Sequence, residues 1–181
     1  GVASLGGSVA GGEYNVAIGN YSLDALTSGD DNVAVGYNAG GANTTGGQNI
    51  YIGRDAGSLH TGDESCVIIG DDAVSENAGS LGQSVVIGNA AGAALSSGGS
   101  VVFIGHEAGS GHDNESHNLG IGRSALAGAI AGGEYNVAIG NYSLDALTSG
   151  DSNVAVGYNA GTAVTTGGYN VFIGGSFAGY C

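Results

Sequence analysis

The sequence has no proline, methionine, tryptophan or lysine, and its only side-chain cations besides histidine are Arg54 and Arg123, against 16 acids. Each shortage excludes a class of protein. With a net charge of −14 there is no cationic cluster to neutralise phosphates, so neither nucleic acid nor an anionic bilayer surface is an expected partner. Glycine supplies 39 of 181 residues, but without proline or a strict three-residue period the chain is not collagen-like. No stretch of eighteen apolar residues is present to span a bilayer, and no basic-then-apolar signal segment follows Gly1. Helix is disfavoured throughout, because each interior glycine costs about 1 kcal/mol relative to alanine. Yet 42% of the residues are apolar, too many for a solvated, unfolded chain.

What is present is a repeat. An aliphatic residue, a variable one, Ile or Val, and glycine form a tetrad ending at Gly19, Gly36, Gly53, Gly70, Gly88, Gly105, Gly122, Gly140, Gly157 and Gly174, in steps of 17 or 18 residues. Over it lies a longer period: residues 10–40 recur as 131–161 with one difference, Asp31 against Ser152, an offset of 121 residues or seven short repeats. Gly1 falls on the same register as Gly122, so residues 1–181 read as one repetitive segment cut from a longer array.

The columns of the repeat predict its structure. The residues three before each anchor glycine run from Val16 to Val171, and those one before it from Ile18 to Ile173; two apolar columns two residues apart make one strand face. That face is expected to form the core. The residue between them ranges from Ala17 and Gly120 to Tyr51, Phe103 and Phe172. Because this column is variable but free of charge, Tyr51, Phe103 and Phe172 are expected on the opposite face as subunit contacts.

Strands so short need partners, and stacking each on its copy gives an all-β parallel solenoid, or β-roll, of about ten coils. A small residue three places after the anchor (Ala39, Ala56, Ala73, Ala91, Ala108, Ala125, Ala160, with Ser22 and Ser143, and Phe177 as the exception) marks a tight inside corner. Four before the anchor stand Asn15, Asn32, Asn49, Asn118, Asn136, Asn153 and Asn170, expected to form a structural ladder of amide hydrogen bonds from coil to coil. Neither end reads as capped, so further coils, another domain or another subunit are expected there.

Segments such as Asn15-Val16-Ala17-Ile18-Gly19, Asn32-Val33-Ala34-Val35-Gly36 and Asn170-Val171-Phe172-Ile173-Gly174 resemble the repeats of bacteriophage tail fibres. They are similar also to the head repeats of YadA-type trimeric autotransporter adhesins. The resemblance covers nearly the whole chain and implies a parallel β-roll or prism built by three identical chains. Adhesin heads have shorter coils, of about fourteen residues, so the spacing here sides with the tail fibre. A homotrimer or stacked homo-oligomer in a virion tail fibre, or at a cell surface, is the expected assembly.

Residues able to do chemistry are sparse. No Gly-x-Ser-x-Gly elbow occurs, and the acid pairs Asp30-Asp31 and Asp71-Asp72 fall at turns, where Asp is a standard former. The densest polar stretch, His106, Glu107, His112, Asp113, Glu115 and His117, has no compact ligand spacing, and the nonapeptide of calcium-binding rolls is absent. No enzyme activity, metal or cofactor is therefore expected. Nine tyrosines suit contact with a cell-surface glycan, which keeps a carbohydrate-binding or carbohydrate-processing solenoid as the alternative function, with an adhesin head or filament subunit as a third. Thr and Ser positions are expected to slip with the 17/18 spacing, which counts against an ice-binding rank. Sequons begin at Asn20, Asn43, Asn114 and Asn141. Cys66 occupies the asparagine column, and Cys181 lies too far along the rod to bridge it.

Overall fold

The computed structural model describes residues 1–7, 11–129 and 131–175. Phe177 and Cys181 lie outside the described residues. Ten three-residue strands follow one another: β1 Val16–Ile18, β2 Val33–Val35, β3 Ile50–Ile52, β4 Val67–Ile69, β5 Val85–Ile87, β6 Val102–Ile104, β7 Leu119–Ile121, β8 Val137–Ile139, β9 Val154–Val156 and β10 Val171–Ile173. They form one parallel sheet in chain order, each pairing only with its sequence neighbours. Coil n below is the turn containing βn. The register follows the repeat: Val33 pairs with Ile50 and Val35 with Ile52, and across the 18-residue step Val67 pairs with Val85. At about 4.8 Å per coil, β1 to β10 spans about 43 Å. Among the described residues no helix is long and apolar enough to cross a membrane.

The sheet faces the opposite way from the sequence expectation. In β2 to β9 the middle residue is buried and the two flanking aliphatics are half-buried or exposed; Ile68 is fully buried between half-buried Val67 and Ile69. Tyr51 and Phe103, expected as subunit contacts, are instead fully buried in their own chain, and Phe172 packs against the same core.

Variation in the middle column has an internal cause. The residue four past the anchor also points inward, and its size runs inversely. Tyr51 is matched by Gly57 and Phe103 by Gly109, whereas Gly120 is matched by Leu126 and Ala138 by Leu144. A Cβ on Gly57 would lie 2.6 Å from the Tyr51 ring, so the glycine is what admits the tyrosine. Where both places are small, as at Ala34 with Gly40, neighbouring coils fill the space: a Cβ on Gly40 would lie 2.7 Å from the Tyr51 ring and 3.0 Å from Leu23, so packing is balanced between coils as well as within them.

The corners are built from left-handed residues that are not glycine. Two past the anchor stand Asn38, Asp55, Asp72 and Ala90, and five before it Gln48, Ser65, Gln83 and Ser100, all with φ between 49° and 60°. A left-handed non-glycine residue costs roughly 1–2 kcal/mol, so relieving it where the side chain does nothing else should stabilise the fold. Ser100 is exposed at φ 55°. Ser100→Gly is expected to raise stability by about 0.5–1 kcal/mol, after the extra backbone entropy of glycine in the unfolded chain. Thermal denaturation measures this, and an unchanged or lower midpoint would show that the corner is unstrained.

Candidate functional site: the outer face of the sheet

The asparagine ladder runs in two flights. Asn32 donates its backbone N–H (2.9 Å) and its Nδ2 (3.1 Å) to the Asn15 Oδ1, and Asn49 repeats both bonds to Asn32. Cys66, without a side-chain amide, takes only the backbone bond to Asn49. The second flight links Asn118, Asn136, Asn153 and Asn170 in the same way. In the interior of each flight the second Nδ2 hydrogen crosses the coil to a carbonyl, as from Asn32 to Gly46 and from Asn136 to Gly150. Between the flights Ser84 accepts from the Val101 N–H. The ladder therefore orients each strand relative to the next and leaves its outward side chains in straight files.

Those files are the most unusual surface of the molecule. Two columns of Val, Ile and Leu, from Val16 and Ile18 to Val171 and Ile173, run the length of the outer sheet face without a charge. Ile18 is 59% exposed, and even in the central strands the outward aliphatics remain partly exposed. Tyr14, Tyr135 and Tyr169 flank one side; Tyr21, Tyr37 and Tyr158 flank the other. Among the described residues, every exposed large apolar side chain except Leu59 lies on this face, its flanks or the matching position Val2. With strands of three residues the sheet face is about 10 Å wide and about 43 Å long.

The polar residues named from the sequence are used elsewhere and do not converge. Arg54 contacts Asp55 at 2.9 Å, Asp71 at 2.9 Å and Asp72 at 2.6 Å on the surface. Asp30 accepts the Glu13 N–H, and Asp31 is a left-handed corner residue. His106 lies beside Glu107, and His117 stacks on Tyr135. Glu115 accepts backbone N–H groups, and His112 is inside the coil. Among the described residues no group of three or more His, Cys, Asp or Glu is gathered to hold a metal.

Three further expectations meet the structure directly. Thr27, Thr44 and Thr61 stay in register across two 17-residue steps, and their hydroxyls donate to the next coil's backbone carbonyls; at the following 18-residue step the rank ends, with Thr61 donating to Gly79. Asn43, at the head of a sequon, is buried and bonds Gly46, so on the folded chain it offers no site for a glycan. Cys66 is buried, and burial together with the Asp63 charge pushes its thiol up to about 11, which leaves it inert.

Sequence reasoning did not find a buried polar network in coil 3. His60 Nδ1 meets Asp63 Oδ1 at 2.7 Å, Tyr51 donates to Asp63 Oδ2 at 3.1 Å, and the Leu81 N–H donates to Asp63 Oδ1 at 2.7 Å. Tyr51 belongs to the same coil, but Leu81 and Leu95, whose carbonyl meets His60 Nε2, come from later coils, and His60-x-x-Asp63 was the one local signal. No known protein family matches the chain, and no curated protein or solved structure is significantly similar to it.

Proposed function

We propose that the chain is a structural and adhesive fibre segment: a shaft of the kind found in phage tail fibres, which spaces or carries a receptor-binding tip. Three copies pack with their sheet faces toward a common axis. The observation that carries this reading is the charge-free aliphatic file on the outer face, flanked by tyrosines. Removing it from water is the natural driving force for association, at about 25 cal/mol per Å² of apolar surface. Tyrosines at the edge suit an interface rim, with a polar tip in water and a ring against the partner. The tail-fibre resemblance favours three chains and a virion setting, with a cell-surface fibre as the related alternative.

The test is to place like charges on the file. Ile87→Glu with Ile104→Glu leaves the coil interior untouched, since both side chains point outward. The variant is expected to keep its β-sheet circular dichroism while self-association weakens at least about 100-fold, because like charges would be desolvated together. Undiminished assembly would move the interface elsewhere.

A second reading has its own observation. Tyr21 and Tyr37 form an edge-to-face pair with centroids 5.7 Å apart, and Tyr142 and Tyr158 repeat it at 6.1 Å one super-repeat later. Such exposed rings suit a glycan. Glycan-array binding lost in Tyr37→Ala with Tyr158→Ala, but kept in the charge variant, would favour a carbohydrate-binding solenoid. Turnover of a polysaccharide abolished by changing Asp30, Asp31, Asp71 or Asp72 would make it a carbohydrate-processing one.

A further inference from the structure

Coils 3 and 6 each carry a histidine at the same interior corner, seven residues past the anchor glycine, and surround it in opposite ways. In coil 3, His60 is fully enclosed, with Nδ1 on the Asp63 carboxylate and Nε2 3.0 Å from the Leu95 carbonyl. A carbonyl only accepts, so Nε2 carries a proton, and an ionised Asp63 calls for a second one on Nδ1. His60 is built to be a buried cation.

Coil 6 rewrites each partner. Phe103 stands where coil 3 has Tyr51, so the hydroxyl is gone, and Glu115 stands where it has Asp63. The longer acid turns its carboxylate to the backbone N–H groups of Asp113 (3.0 Å), Asn114 (3.2 Å) and Gly132 (2.9 Å). His112 is fully buried, yet neither ring nitrogen has a hydrogen-bond partner. The ring packs edge-on against Phe103, with centroids 4.7 Å apart. The same corner holds Leu26, Leu95 and Leu147 in three coils and Asn43 and Asn77, both hydrogen-bonded, in two others; His112 is polar like the second set but has no partner.

We propose that coil 6 is an acid-sensitive opening point of the shaft, in which protonation of His112 places a cation in an apolar corner without an acceptor and drives residues 106–117 out of the coil. The charged group facing His112 is Glu115, on its own coil; β6 presents Phe103, and the following coil presents the Leu126 carbonyl outside hydrogen-bond geometry. Glu115 reaches the ring only by releasing three N–H groups, one of them in the next coil, so either response loosens the corner.

The linkage has a definite sign. Burial pulls His112 down to about 4, with Glu115 and the Leu126 carbonyl restoring only part of the loss. Its contribution to stability is thus full above the ordinary value of about 6.5 and is lost as pH falls toward about 4. His60 runs the other way. Burial lowers its pKa, but the Asp63 hydrogen bond and charge more than offset that, so its contribution is full below about 6.5 and is lost as pH rises through its raised value.

Hydrogen exchange on the intact protein, normalised for intrinsic rates, tests the proposal. Between pH 7.5 and pH 5 the opening of residues 106–117 is expected to rise on the order of 30-fold, while residues 54–65 show no such rise. In His112→Leu, which places the corner's usual residue there, the acid response of coil 6 should vanish; His112→Asn, as at Asn43, is the second variant should the first fail to fold. Equal acid acceleration in wild type and variant, or none in wild type, would overturn the proposal. So would an NMR titration placing His112 near 6.5. The effect belongs to the coil interior and does not depend on what the outer face binds.

Discussion

Gly88→Ala is expected to lower stability by about 3–5 kcal/mol, among the largest single-residue effects in the solenoid. Gly88 has φ 141°, a region that residues with a side chain rarely adopt. A Cβ there would also collide with the carbonyl of Gly105, the next anchor, lying 2.6 Å from its carbon. Relief would require separating two hydrogen-bonded coils, because the obstacle is backbone rather than a movable side chain. Gly82→Ala is the matched control: nothing lies within 4 Å of its Cβ position, so a change within about 0.5 kcal/mol is expected. Urea denaturation of the pair separates the two cases. Similar midpoints would mean that the anchor column is a habit of the repeat and not a steric requirement.

Asn136→Ala is expected to cost about 2–4 kcal/mol. Its side chain donates to Asn118 Oδ1 (3.2 Å) and to the Gly150 carbonyl (2.9 Å), and it accepts both the N–H and the Nδ2 of Asn153 (3.0 Å each). Asn153 and Gly150 are both buried, so the truncation leaves a backbone N–H and a carbonyl without water or partner. Each such group costs about 1–3 kcal/mol. Asn170→Ala, at the end of the flight and half-exposed, should cost under about 1 kcal/mol, since water can replace what is lost. Equal losses at the two positions would contradict a cooperative buried ladder.

The anchor glycines, the 17/18 step and the asparagine column were enough to read the parallel coil and its register, because each reports a backbone need that recurs at every turn. The direction of the sheet was not legible from one column at a time. A uniform Val/Ile column looks like core and a variable one like surface, yet Tyr51 with Gly57, Gly120 with Leu126, and Gly40 beneath the Tyr51 ring show that the variation is compensation inside a coil or between neighbours. The left-handed corners were hidden for a different reason: Gln48, Ser65 and Gln83 carry no residue-type signal for positive φ, which the stacked neighbours impose. The His60 network escaped notice because its contacts reach Leu81 and Leu95 in later coils, and the His112 environment differs from it by a missing hydroxyl and one extra methylene.

The central proposal is that the outer file turns a stack of coils into an assembling shaft, and the mass of the particle in solution tests it most directly. Sedimentation equilibrium at micromolar concentration is expected to give three times the 17.3 kDa chain mass. A stable particle of one chain mass, with the Val and Ile files left in water, would contradict it.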